Sequence, residues 1–299
     1  MESRNDLRLP PPWIPPAAGK VAREVRPVII VPRRRGSLLF YPAYVQDYLD
    51  RVTAADVAAG NTQGLERGVT DAFDVALQDL VADEILGISG GVIAQAASKS
   101  KAMPFLCGAR TLSGCLVPVV GPAPTNFNFL SANYNRKTGL FATAGANMYL
   151  DSNRNNNADP QNNKHVAVYT STIVGGGRYL GTASGVGAVG ATTLVNFGGG
   201  QLSPYINAST SFSGPQLSIG FYGASRATST TVSFRNNKTT ASGSSQSQTP
   251  ENSSIFLFRG GTIYTSCRMS FYSIGESINL ALPDTRVTGL MTALAAAIP

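Results

Sequence analysis

With 299 residues, 43% of them hydrophobic, the chain is long enough to bury a sizeable core, and its 14% charged residues fall well below the roughly 25% usual in soluble proteins, so Ser, Thr and Asn must carry much of the polar surface. The net charge of +7 is unevenly spread: basic residues outnumber acidic ones by eight to three in residues 1–36, are outnumbered by nine to five in 37–116, and lead by eleven to five in 117–299. Three cysteines without a C-x-x-C pair exclude a disulfide scaffold and a zinc site and predict buried, reduced thiols, and no apolar run reaches the ~18 residues that span a bilayer, so neither a cofactor nor membrane insertion is expected.

Residues 1–36 read as an extended arm, because LPPPWIPP (9–16) and VRPVIIVPRRRG (25–36) hold prolines that exclude helix. Trp13, Ile14 and the apolar run 28–31 suit docking, either on a partner subunit or back on the protein's own β domain. Arg33, Arg34 and Arg35 offer rigid donor forks to phosphate or carboxylate. A solvated turn explains them equally well. Stacking aromatics between the basic residues are missing apart from Trp13, so nucleic-acid binding is not expected.

Residues 37–116 read as a helical linker segment. Tyr44, Tyr48, Val52 and Ala55 have helical spacing over 42–60, and Phe73, Leu77, Leu80, Val81 and Ile85 make one stripe of a second helix over 71–86. The other side of that second helix carries Asp71, Asp74, Asp79 and Asp83, a solvated face or a landing site for basic residues rather than a catalytic cluster. A small-residue helix is predicted at 92–103, and the Gly/Pro-rich stretch 107–125 marks the crossing into the next domain.

From 117 to 299 the chain reads as strand after short strand. Residues 164–174, 191–197, 215–224, 228–234, 253–260 and 261–275 are rich in β-branched and aromatic residues, several with period-two alternation. Two face-to-face sheets would bury such a pattern, which predicts a mainly β sandwich. In the last strand, Arg268, Ser270 and Tyr272 share the face opposite Met269 and Phe271 and are expected to show toward solvent. The run Asp151, Asn153, Asn155, Asn157, Asp159 is spaced like the start of a calcium loop. It lacks the turn glycine and the twelfth-position glutamate, so an Asn-rich turn is the simpler reading. GVGAVG (185–190) matches G-x-G-x-x-G but opens into a strand-former, which predicts a loop and no nucleotide. Residues 239–254 are expected to form an exposed tip. A closing helix is predicted with Asp284 as its N-cap and Val287, Leu290, Met291, Leu294 and Ile298 on one face.

Three stretches, 108–140, 149–165 and above all RMSFYSIGESINLALPDTRVTGLMTALAAAI (268–298), resemble concanavalin A-like, laminin-G-like lectin domains in virion structural proteins of tailed phages, especially those of marine cyanobacteria. The resemblance implies a jelly-roll sandwich, exposed on the particle as a tail appendage (fibre or adhesin) or capsid decoration. It also implies other virion subunits as partners, a homo-oligomer, and host-surface carbohydrate as ligand. No catalytic residue comes with it. The β region holds five acids, Asp151, Asp159, Glu251, Glu276 and Asp284, and one histidine, His165, without an acid close to it on the same face. The residues therefore predict no enzyme. The rival readings are a polysaccharide-degrading appendage enzyme and a DNA-contacting virion protein.

Overall fold

Period-two alternation shapes most of this protein, and a computed structural model shows where each face goes. The structure describes residues 41–214, 216 and 218–299. The expected anchors of the arm, Trp13, Ile14, Arg33, Arg34 and Arg35, lie outside the described residues.

The described chain opens with α1 (Ala43–Ala58), α2 (Arg67–Ala82) and a small hairpin of β1 (Ile88–Ser89) and β2 (Val92–Ile93). Next come β3 (Ser100–Pro104), the one-turn α3 (Leu112–Cys115), β4 (Pro118–Val120), β5 (Thr125–Phe127), β6 (Tyr134–Asn135), β7 (Gly139–Ala142) and β8 (Tyr149–Asn155). β9 (Lys164–Ile173), β10 (Gly177–Thr182), β11 (Thr193–Asn196), β12 (Leu202–Tyr205), β13 (Gly220–Arg226), β14 (Thr231–Asn236) and β15 (Thr239–Ser244) follow. The chain closes with β16 (Ser254–Leu257), a hairpin of β17 (Arg259–Gly260) and β18 (Ile263–Tyr264), β19 (Cys267–Gly275) and the helix α4 (Ala281–Ala297).

A nine-stranded sheet runs β15, β14, β13, β9, β19, β3, β4, with β7 pairing β19 and β6 pairing β7. A six-stranded sheet runs β12, β11, β10, β16, β8, β5. Neighbours distant in sequence pair antiparallel, β9 with both β13 and β19 for example, as in a jelly-roll sandwich.

Register assigns the faces. Tyr169 of β9 pairs with Phe221 and Phe271, and Val168 with Tyr222 and Tyr272, so adjacent rows point to opposite sides. The first row meets the helices through a chain of aromatic contacts: Phe271 lies 5.9 Å from Phe105, Phe105 stacks on Phe73 at 5.7 Å, and Phe73 meets Tyr48 edge-on at 5.5 Å. The second row meets the smaller sheet, where Tyr179 stands edge-on to Tyr222 at 5.1 Å. The order is therefore helices, larger sheet, smaller sheet. This corrects the expected solvent face of the last strand: Ser270 and Tyr272 are fully buried because β19 is covered on both sides.

Three local expectations are also corrected. Residues 92–103 are not a helix: Ala102 and Ser100 pair with Ile274 and Gly275, so the segment read as a helical linker supplies β3 to the larger sheet. Small residues suited a helix locally, but close pairing with β19 decides the outcome. The predicted tip at 239–254 begins as β15, paired with β14. Asp284 does not cap the closing helix, which starts at Ala281; its carboxylate accepts from Arg235 Nε at 2.6 Å and the Lys238 backbone N–H at 2.9 Å.

The helices are tied down as their sequences suggest. Leu290 and Leu294 of α4 are buried, and Asp79 and Asp83 at the end of α2 are a landing site: Arg286 donates to Asp83 at 2.7 Å and Asp79 at 3.1 Å, while Asp74 is buried and accepts from Gln78. All three cysteines are free and buried. Among the described residues, no helix is long and apolar enough to cross a membrane.

Candidate functional site

The β17–β18 hairpin crosses the outer face of the smaller sheet, on which no α-helix packs among the described residues. Two glycines let it lie close. A Cβ on Gly181 of β10 would come within 2.8 Å of the Gly260 Cα, and one on Gly260 within 2.9 Å of the Arg178 side chain, contacts that any larger residue would push apart.

Phe258 aims this hairpin. Leu257 continues the inward row with Leu180 and Leu150, but Phe258 has φ +66°, a left-handed conformation strained for a bulky residue. Its ring is fully buried, 5.1 Å from Phe129, and that burial holds the strained backbone in place. The next side chain, Arg259, is thereby sent to the outer face.

There Arg259 is surrounded by rings. Its guanidinium carbon lies 4.7 Å from the Tyr149 centroid, 4.8 Å from Phe256 and 5.5 Å from Tyr264. Each such contact contributes about 0.5–2 kcal/mol. Tyr149 stacks on Phe127 at 4.3 Å with the planes 3° apart, and Phe127 is 37% exposed. The guanidinium donates from Nε to the Gly261 carbonyl at 2.8 Å and makes no ion pair among the described residues. Asp151 and Thr125 continue the outward row from Phe256. This face thus offers flat apolar rings flanked by a fixed cation, a carboxylate and a hydroxyl, the mixture that holds an amphipathic ligand.

On the other side of the hairpin is a cleft of about 320 Å³ lined by Arg178, Val195, Asn196, Phe197 and Ile263, with glycines at 176, 177 and 198. Phe197 and Ile263 are exposed.

The polar residues singled out in the sequence do other work. His165 is buried, and its Nδ1 faces the Glu276 carbonyl, so Nδ1 carries the proton. Nε2 then accepts from Ser273 Oγ at 2.7 Å, which accepts from Ser100 Oγ at 2.9 Å. Burial holds this imidazole down to about 4, and it ties three strands together in its neutral form. The residues of the calcium-like spacing do not converge. Asp151 lies on β8, whereas buried Asp159 receives Arg154 at 2.5 Å and Lys164 at 3.5 Å. Burial pushes Lys164 down to about 8 despite that partner. Among the described residues, no acidic, histidine or cysteine cluster is arranged to hold a metal. GVGAVG is a turn, and its Gly185 packs on Arg178.

The aromatic–arginine face was not singled out in the sequence. Its one visible signal is Phe256, an aromatic residue at a position of SSIFLFRG where alternation reserves a solvent-side residue. Phe127, Tyr149 and Tyr264 come from separate short strands that only the sheet order brings together.

No protein-family model matches the chain, and no curated protein matches it. Among solved structures, a Trypanosoma rangeli sialidase in complex with sialic acid matches at 11% identity over 76% of this chain and 38% of that one, with a TM-score of 0.41. Domain 4 of AbnA, a GH43 extracellular arabinanase from Geobacillus stearothermophilus, in complex with arabinotriose, matches at 11% identity over 56% and 82%, TM-score 0.37. A heptameric SAP-like pentraxin from Limulus polyphemus matches at 11% identity over 42% and 69%, TM-score 0.30. The chain spans about two fifths of the length of the sialidases that it matches. Nothing in these likenesses bears on a phage origin. Sialidases and an arabinanase domain are among the matches, which overturns the expectation that the chain is not an enzyme: a scarcity of carboxylates does not decide its activity.

Proposed function

We propose that this chain binds glycan on the outer face of the smaller sheet and works as a surface component of a phage virion, joined to other virion subunits through residues 1–36. The observation that carries the glycan reading is Arg259, held among Tyr149, Phe256 and Tyr264 beside the exposed Phe127. A pyranose ring has one apolar C–H face and a rim of hydroxyls. The exposed ring of Phe127, held flat against Tyr149, takes the face, while Arg259, Asp151 and Thr125 address the rim. The virion placement is supported by the resemblance of residues 108–140, 149–165 and 268–298 to phage lectin domains.

Hydrolysis of the bound glycan is the second reading, favoured by Asp151, which brings a carboxylate into register with Phe256. A panel of neutral and acidic oligosaccharides titrated by calorimetry tests the first reading, with released reducing ends followed in the same samples for the second. Tyr149→Ala and Phe256→Ala should each weaken binding about tenfold or more. Unchanged affinity in both variants would remove the site. For the virion placement, deletion of residues 1–36 should leave a folded protein that no longer enters particles. Normal copy number in particles would contradict it.

A further inference from the structure

Arg178 is a cation for which the neutral-glycan chemistry above has no use. It projects from β10 into the cleft lined by Phe197 and Ile263. Its Nη1 donates to the Gly260 carbonyl at 2.5 Å, while Nε and Nη2 have no hydrogen-bond partner among the described residues. No acid pairs with it there either. Partial burial costs a guanidinium hydration; fully buried Arg226, which also has no acid, recovers that cost through bonds from Nε and Nη1 to carbonyls, whereas Arg178 has a partner at Nη1 alone.

The surroundings are built around this side chain. A Cβ on Gly185 would come within 2.5 Å of Nη1, and one on Gly261 within 2.7 Å. Both glycines have positive φ, +76° and +57°, so backbone rather than side chain walls the guanidinium. The wall fixes the fork in one orientation and leaves two of its nitrogens unpaired beside exposed apolar Phe197. A fixed fork with a free edge fits the two oxygens of a carboxylate. Arg259, across the same hairpin, also lacks an acidic partner among the described residues, so two cations stand on this face against the one carboxylate of Asp151, a balance that favours an anion.

We infer that the ligand of this face is an acidic glycan, one whose carboxylate-bearing sugar places its carboxylate on Arg178 while a neighbouring sugar stacks at the Arg259 cluster. This rests on the glycan reading above and names the class of sugar within it. Gly185 of GVGAVG thereby acquires a role: it makes room for the arginine and has no part in nucleotide binding.

Matched pairs test it: sialyllactose against lactose, and an oligogalacturonate against its carboxyl-reduced counterpart, titrated at two salt concentrations. The acidic member of at least one pair should bind about tenfold or more tightly than its neutral partner. The preference should shrink with salt and vanish in Arg178→Gln while binding of the neutral member persists. Arg178→Lys should recover part of the preference at best, since an ammonium lacks the fork. Lys238→Gln, a charge change away from this face, should leave it intact. Equal binding of acidic and neutral members would overturn the acidic assignment and leave the glycan reading standing. So would a preference that survives Arg178→Gln, or one that Lys238→Gln abolishes equally. Failure of every member of both pairs to bind would count against both readings. Should Arg178→Gln not fold, the wild-type pairwise ratio and Arg178→Lys decide the matter.

Discussion

Replacing Asp56 with Ala should cost about 2–6 kcal/mol of stability, although this residue lies on a helix far from any proposed chemistry. Asp56 is 1% exposed near the end of α1 and holds the turn before α3. Its carboxylate accepts from the backbone N–H of Arg110 at 2.9 Å, the backbone N–H of Thr111 at 2.8 Å and Thr111 Oγ1 at 2.7 Å. Gly114 packs so tightly beside it that a Cβ there would come within 2.1 Å of Asp56 Oδ1. Alanine leaves two backbone donors without partners in a site with little room for water, at about 1–3 kcal/mol each, and the hydroxyl can turn elsewhere. Urea unfolding followed by both far- and near-ultraviolet circular dichroism is the assay. The two probes should shift together, because α1 and the sandwich share one core through Tyr48, Phe73, Phe105 and Phe271. Asp50→Ala, which loses one exposed bond to Gln46, should change stability by less than about 0.5 kcal/mol. A loss below about 1 kcal/mol for Asp56→Ala, or separate transitions for the two probes, would refute the single shared core.

Further predictions follow from the same packing. Leu294→Ala should cost about 2–5 kcal/mol, since Leu294 is fully buried and packs close to Gly108; calorimetric melting measures it, and a loss under 1 kcal/mol would place α4 off the sheet. A chain beginning at residue 117 should lack a cooperative melt, because it has lost β3 from the larger sheet and the rings of Tyr48, Phe73 and Phe105 from the core. His165 has an ordinary value of 6.5 and is held at about 4 by burial. Within that window the unfolded chain binds the proton first, so stability should fall as pH drops from about 6.5 through 4; chemical denaturation of His165→Gln across those pH values should show a flatter profile, and an unchanged slope would assign the acid sensitivity to other groups.

The sandwich was legible because alternation is a property of single strands. Met269 and Phe271 could be read as buried residues without knowing which strands are neighbours. The two-sided burial of β19 was not legible, because whether Tyr272 meets water or a second sheet depends on the helices covering Phe271 on the opposite side, a relation between distant segments. The mistaken helix at 92–103 has the same cause. Ala and Ser permit helix locally, and only the approach of Gly275, where a Cβ would lie 2.2 Å from the Lys99 carbonyl, turns the segment into a strand. Of the two readings of the aspartate row, a solvated face or a landing site, the second holds at Asp79 and Asp83, which i, i+4 spacing puts on one side. Their partner Arg286 is some 200 residues away in the chain. The candidate site was the least legible of all. It is assembled from residues of β5, β8, β16 and the β17–β18 hairpin, and Arg259 reaches it only because Phe258 turns the backbone through a left-handed conformation that no local pattern announces.

Mapping where an oligosaccharide binds tests the central claim most directly. Amide chemical-shift changes in the labelled full chain, titrated with the tightest ligand of the calorimetric panel, should centre on Phe127, Tyr149, Phe256, Arg259 and Tyr264 and extend to Arg178 for an acidic ligand. Shifts centred on the helices, or on the β14–β15 edge of the larger sheet, with this face unmoved, would contradict it.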